Sequence, residues 1–248
     1  MNSTIQFRCC VFDTYRVLPG TSMNPEVSFF TGNGPESDEK VTDQSERQIV
    51  NWLIGTPQPR ELLLGELMLS ANTYVQTAII EPLVEKNRRQ PPGDIDLIFV
   101  PDAHRAIAIQ VKRFPVIAET AYKDHTTRGQ LGDITKLVEQ ANGSREIGFW
   151  TTYALVLVEC YGPARQEYNF ASRDSSPGVF SRIYHMTKER PIHRDVGLIF
   201  VEITQPTRAS VDRAATVCVH VDKPAIPVEQ SSEITARVRQ LMANKISL

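Results

Sequence analysis

Hydrophobic and polar positions along this chain follow two periods. Ile95 to Val100 and Ala106 to Val111 are short apolar runs rich in Ile and Val, bounded by Pro92, Gly93 and Asp94 before and by Lys112 and Arg113 after. Such runs read as buried strands. The break Pro101-Asp102-Ala103-His104-Arg105 is turn-like, so the pair predicts a β-hairpin. Phe149 to Glu159 predicts another strand. Its unbroken apolar stretch from Ala154 to Val158 suits the centre of a mixed sheet covered on both faces. Ile5 to Val11, Val196 to Thr204 and Ala215 to Val221 read as further strands.

Helical spacing appears elsewhere. A first helix is expected from Asp43 to Ile54, stopped by Gly55 with Pro57 beyond. Arg60 to Glu85 reads as one long, largely buried helix broken at Pro82, with Leu62, Leu63, Leu64, Leu67, Met68 and Leu69 wrapping its circumference. Leu131, Ile134, Val138 and Ala141 predict an amphipathic helix over 129–141, with Gly143 as its stop. A short helix is expected near Val179 to Thr187. Ser232 to Asn244 sets Ile234, Val238, Leu241 and Met242 on one face, to close the core or meet a partner. Residues 19–40 and 161–195 read as loops. The expectation is an α/β (α+β) chain: a central mixed β-sheet flanked by helices, in one domain. Its core would span about 43–221, with an N-terminal strand and loop over 1–42 and a C-terminal linker and helix over 222–248.

The hairpin brings polar groups together. With the turn centred on Ala103, Asp96 faces Gln110 and Asp94 faces Lys112. Asp94 and Asp96 share a face, as do Gln110 and Lys112. Directly opposed side chains lie about 5 Å apart. Two carboxylates, an amide and an ammonium thus converge on one patch. Asp102 sits in the turn, roughly 25 Å along an extended strand from Gln110, so it cannot join that patch.

Composition narrows the class. The chain has 248 residues, 41% hydrophobic and 23% charged, which suits a soluble globular protein with a sizeable core. A net charge of −2 is unusual for a nucleic-acid binder, although a local basic groove can sit on an acidic protein. The four cysteines, Cys9, Cys10, Cys160 and Cys218, have neither zinc nor disulfide-framework spacing, and read as small apolar residues of a reducing cytoplasm. Neither a secretory signal nor a membrane span is expected. No Ser-His-Asp arrangement, His ligand spacing or phosphate-cradling Gly loop occurs, which disfavours proteases, esterases and P-loop NTPases.

Asp96, thirteen intervening residues and then Gln110-Val111-Lys112 resemble the signature of the PD-(D/E)XK nuclease superfamily, in the Gln-X-Lys form of its Mrr-like restriction endonuclease branch. The resemblance covers roughly residues 60–160. It implies a restriction-endonuclease-like core and a Mg²⁺- or Mn²⁺-dependent deoxyribonuclease, of use in restriction, phage defence or mobile-element processing. It also implies the site. Asp96, Gln110 and the Val111 carbonyl would be metal ligands, and Lys112 would act on the attacking water or the transition state. Glu66 matches the acidic residue that the preceding helix often adds in this superfamily; otherwise it is a Glu on the helix's wet edge. Asp94 is a further candidate ligand, since Gln110 carries one negative charge fewer than the commoner carboxylate.

DNA is the expected partner. Lys86, Arg88 and Arg89 form either a solvated turn or a phosphate contact, and Arg113, Lys123 and Arg128 add positive charge near Lys112. Lys136 and Gln140, on the helix expected to flank the site, are secondary candidates. Cutting both strands of a duplex would be simplest for a homodimer. The alternative is a non-catalytic module that uses the same fold to hold nucleic acid or a protein.

Overall fold

A computed structural model describes residues 8–12, 46–79, 94–117, 128–161, 187–205 and 215–246. The elements in chain order are β1 (Arg8–Phe12), α1 (Glu46–Gly55), α2 (Pro57–Glu66), β2 (Tyr74–Ile79), β3 (Ile95–Asp102), β4 (Arg105–Ile117), α3 (Arg128–Ile147), β5 (Thr151–Tyr161), β6 (Gly197–Gln205), β7 (Ala215–Lys223) and α4 (Ser232–Ile246). Among the described residues the strands form one seven-stranded mixed sheet in the order β1-β7-β6-β5-β4-β3-β2. The central strands β4, β5 and β6 run parallel, and every other neighbouring pair is antiparallel. This is the α/β architecture that the apolar runs predict.

The sheet is covered on both faces. One face carries Leu97, Phe99, Ile107, Ile109, Leu155 and Val201 against Ile49, Leu53, Leu63 and Leu64 of α1 and α2. Against the other, Ile98, Val100, Ala106 and Ala108 meet Ile234 and Val238 of α4. Residues 151–158 of β5 are all buried, which explains the unbroken apolar stretch from Ala154 to Val158. The last helix therefore closes the core. Just before it, the segment from Pro224 to Ser231 laces three elements together. Gln230 accepts the Ala106 N–H through Oε1 at 2.7 Å, and Val228 and Ser231 donate their N–H groups to Trp150 and Gly148 carbonyls.

Two expectations fail. The long helix over Arg60–Glu85 is instead α2 followed by β2. Leu67 caps α2, and Met68 turns the chain with a φ of 55°, a left-handed value rare outside Gly. Tyr74, Val75 and Thr77 then favour strand, and β2 pairs antiparallel with β3. Gly143 is also no stop. It lies inside α3, which runs on to Ile147 and ends at Gly148 with φ 93°. The short helix expected near Val179 to Thr187 lies almost wholly outside the described residues. No helix among the described residues is long and apolar enough to cross a membrane.

Candidate active site

The hairpin has the expected register. Leu97 pairs with Ile109, Ile98 with Ala108 and Phe99 with Ile107, as a turn centred near Ala103 requires. The loop itself is only Ala103-His104, because Asp102 pairs with Arg105 and a register shift between Phe99 and Asp102 absorbs the difference. Asp102 serves that turn: its carboxylate accepts the His104 N–H at 2.9 Å and pairs with Arg105.

The site forms where β3 and β4 part. The ladder between them ends at Leu97 and Ile109, whereas β4 continues alongside β5 to Ile117. Beyond that point, side-chain carboxylates replace a strand as partners for β4. Asp96, one step from the last paired residue, accepts the Val111 N–H through Oδ2 at 2.8 Å. Glu46, at the start of α1, accepts the Arg113 N–H through Oε2 at 2.7 Å. A residue's N–H and C=O project to the same side of a strand, so the Val111 carbonyl also faces this gap.

Gln110 and Lys112 both point toward α3. Gln110 is fully buried, and its Nε2 donates to the Asp94 carbonyl at 3.2 Å and to Ser144 Oγ at 2.9 Å. Its Oε1 is buried with no hydrogen-bond partner among the described residues. The Lys112 ammonium lies 3.7 Å from Glu46 Oε2 and 3.7 Å from Asp133 Oδ1 of α3. Burial pushes the Asp96 carboxyl up to about 6. The Val111 N–H opposes that rise, Glu46 and Asp94 add to it, and Lys112 partly offsets it.

The expected Asp96–Gln110 pairing lies beyond the end of the β3–β4 ladder at Leu97 and Ile109; Asp96 instead accepts the Val111 N–H, while Gln110 and Lys112 share the side toward α3. Asp94 joins differently: it precedes β3, and its backbone carbonyl rather than its carboxylate meets Gln110. Glu66 closes α2, whose main contacts run to α1, β1 and β7, and it is Glu46 that stands beside Lys112. Arg113 engages Glu46 through its backbone, and on β4 its side chain alternates away from that of Lys112. Arg128 begins α3. Lys136 is exposed on α3, and the Gln140 carbonyl accepts the Ser144 hydroxyl at 3.0 Å. Lys86, Arg88, Arg89 and Lys123 lie outside the described residues.

Glu46, Asp133 and Ser144 were not singled out by pattern. Nothing local marks Glu46, more than sixty residues before its partner Arg113.

A hard divalent cation fits this donor set. Asp96, the orphaned Gln110 Oε1 and the Val111 carbonyl offer oxygens alone, which such cations prefer. No three His, Cys, Asp or Glu side chains among the described residues are placed to hold a metal by themselves. Amide and backbone oxygens would have to complete the set. No protein-family model matches this sequence, and no curated protein matches it.

Proposed function

We propose that this protein is a divalent-metal-dependent deoxyribonuclease with a restriction-endonuclease-like core. One observation carries the reading: where β3 and β4 separate, Gln110 has a buried amide oxygen with no hydrogen-bond partner among the described residues, Asp96 carries a carboxyl raised to about 6, and Lys112 adds an ammonium on the same stretch of strand. A buried polar atom left unpaired costs roughly 1–3 kcal/mol, and a cation shared with Asp96 would offset that cost.

Bound there, Mg²⁺ or Mn²⁺ would supply an activated water and neutralise charge on the scissile phosphate. Asp96 and Gln110 would hold the ion through their oxygens, and the Val111 N–H fixes the Asp96 carboxylate. Lys112 brings a positive charge to the phosphoryl oxygens as water adds to phosphorus and one bridging P–O bond breaks. Glu46 and Asp133 hold that ammonium in place.

A cleavage panel of single-stranded DNA, duplex DNA, methylated DNA and RNA, run with Mg²⁺ and Mn²⁺, tests the reading. Cleavage of a DNA substrate that stops in EDTA is the expected result. Metal-independent cutting, or cutting of RNA alone, would refute it. Tight DNA binding without cutting under any cation would favour the non-catalytic module.

A further inference from the structure

We infer that Ser144 is a positioning residue that decides which end of the Gln110 amide faces the cation site. The inference rests on the metal-centre reading above. The two ends of a glutamine amide are almost the same shape, so its neighbours determine which end is which. One end of the Gln110 amide meets the Asp94 carbonyl, which can only accept. The same end meets Ser144 Oγ. A serine hydroxyl has one proton, and Ser144 gives it to the Gln140 carbonyl at 3.0 Å. Toward Gln110 it presents only lone pairs.

Both neighbours of that end are therefore acceptors, and the end must be the NH₂. Oε1 is then forced to the opposite side, where it has no hydrogen-bond partner among the described residues. The Ser144-to-Gln140 bond is the usual back-bond of a helical serine to the carbonyl one turn earlier. It spends the hydroxyl proton locally and so sets the polarity of the adjoining strand residue. Without Ser144, the Asp94 carbonyl at 3.2 Å would hold Nε2 alone.

The test titrates Mn²⁺ alone into the full chain at pH 8, read by water-proton relaxation. The variants are Ser144→Ala, Ser144→Thr, Gln110→Ala and the double variant Gln110→Ala with Ser144→Ala. Ser144→Ala should keep one cooperative thermal transition and bind Mn²⁺ roughly tenfold more weakly. Ser144→Thr retains the hydroxyl and should return affinity to within about threefold of wild type. In the Gln110→Ala background, Ser144→Ala should add no further loss, because the serine acts only through the amide. Ser144→Ala binding as tightly as wild type overturns the inference and leaves the metal centre standing. The inference also fails if Ser144→Thr binds as weakly as Ser144→Ala, or if the loss persists in the Gln110→Ala background. Either result assigns the effect to helix packing. Wild-type protein that binds no Mn²⁺ overturns the metal centre itself, a distinct outcome.

Discussion

The two halves of β4 use the same backbone for different ends. From Arg105 to Ile109 the strand has a neighbour on each side over most of its length, and Ile107, Ala108 and Ile109 are buried apolar residues. From Gln110 to Arg113 it keeps β5 but loses β3, and two of its N–H groups are taken by Asp96 and Glu46. Losing one neighbour is what admits charge. A complete ladder would use those N–H groups, and a carboxylate at this depth would then have little to offset its desolvation. The first half gains from burial, while the second carries the charged and amide side chains of the candidate site.

The sharpest way to break this contrast is Lys112→Ala. DNA binding, titrated in Ca²⁺, should stay close to wild type, while plasmid nicking in Mg²⁺ falls on the order of 10²–10³-fold. Equal nicking rates would make Lys112 an ordinary ion-paired lysine and would remove the functional half of the comparison.

Ile109→Ala probes the other half. Ile109 is fully buried, so its truncation should cost about 2–5 kcal/mol of unfolding free energy in urea. Mn²⁺ affinity, measured where the variant is fully folded, should change little. A loss of affinity as large as that of Asp96→Ala would mean that the halves are not separable.

Asp96 gives a third test, through pH. Its carboxyl is raised from 3.8 to about 6, so the folded state holds that proton more tightly than the unfolded chain. This contribution to stability is fully present below pH 3.8 and is lost as pH rises through about 6. Asp96→Asn remains neutral and can still accept the Val111 N–H. It should therefore match wild type near pH 4 and exceed it at pH 8 by up to about 3 kcal/mol in metal-free buffer. Mg²⁺ should erase that difference by stabilising wild type alone. An unchanged gap between pH 4 and pH 8 would count against the buried carboxylate.

The smallest effect is expected from Gln110→Glu. Adding a negative charge to the donor set should tighten Mn²⁺ binding by about tenfold or less. Metal-free stability should fall, since a carboxylate cannot donate to Ser144 or Asp94 as Nε2 does. Weaker Mn²⁺ binding in calorimetry would remove position 110 from the ligand set.

How far the sequence carries this picture depends on whether a feature is local. The apolar runs and the turn-like break over Ile95–Val111 are local, and they predict the hairpin and its register. The α2-to-β2 transition is hidden because Leu62-Leu63-Leu64 and Leu67-Met68-Leu69 continue a helical pattern. Met68 reverses the chain without the Gly or Pro that usually signals it. Gly143 misled because glycine often ends helices, whereas here the residue after it, Ser144, must stay helical to reach Gln110. Glu46 could not be found by pattern. Its partner is the backbone of Arg113, which shows no trace in side-chain spacing.

The lacing segment before α4 bears on how the protein is made. The Ala106 N–H waits for a side chain 124 residues further along the chain, and one face of the hairpin waits for Ile234 and Val238. During synthesis at about 5–20 residues per second, the hairpin leaves the ribosome many seconds before its cover does. An apolar face stands open for that interval, so holdase chaperones have a defined stretch to guard. Shortening the chain before Gln230 should send newly made protein into inclusion bodies rather than yield a smaller soluble core.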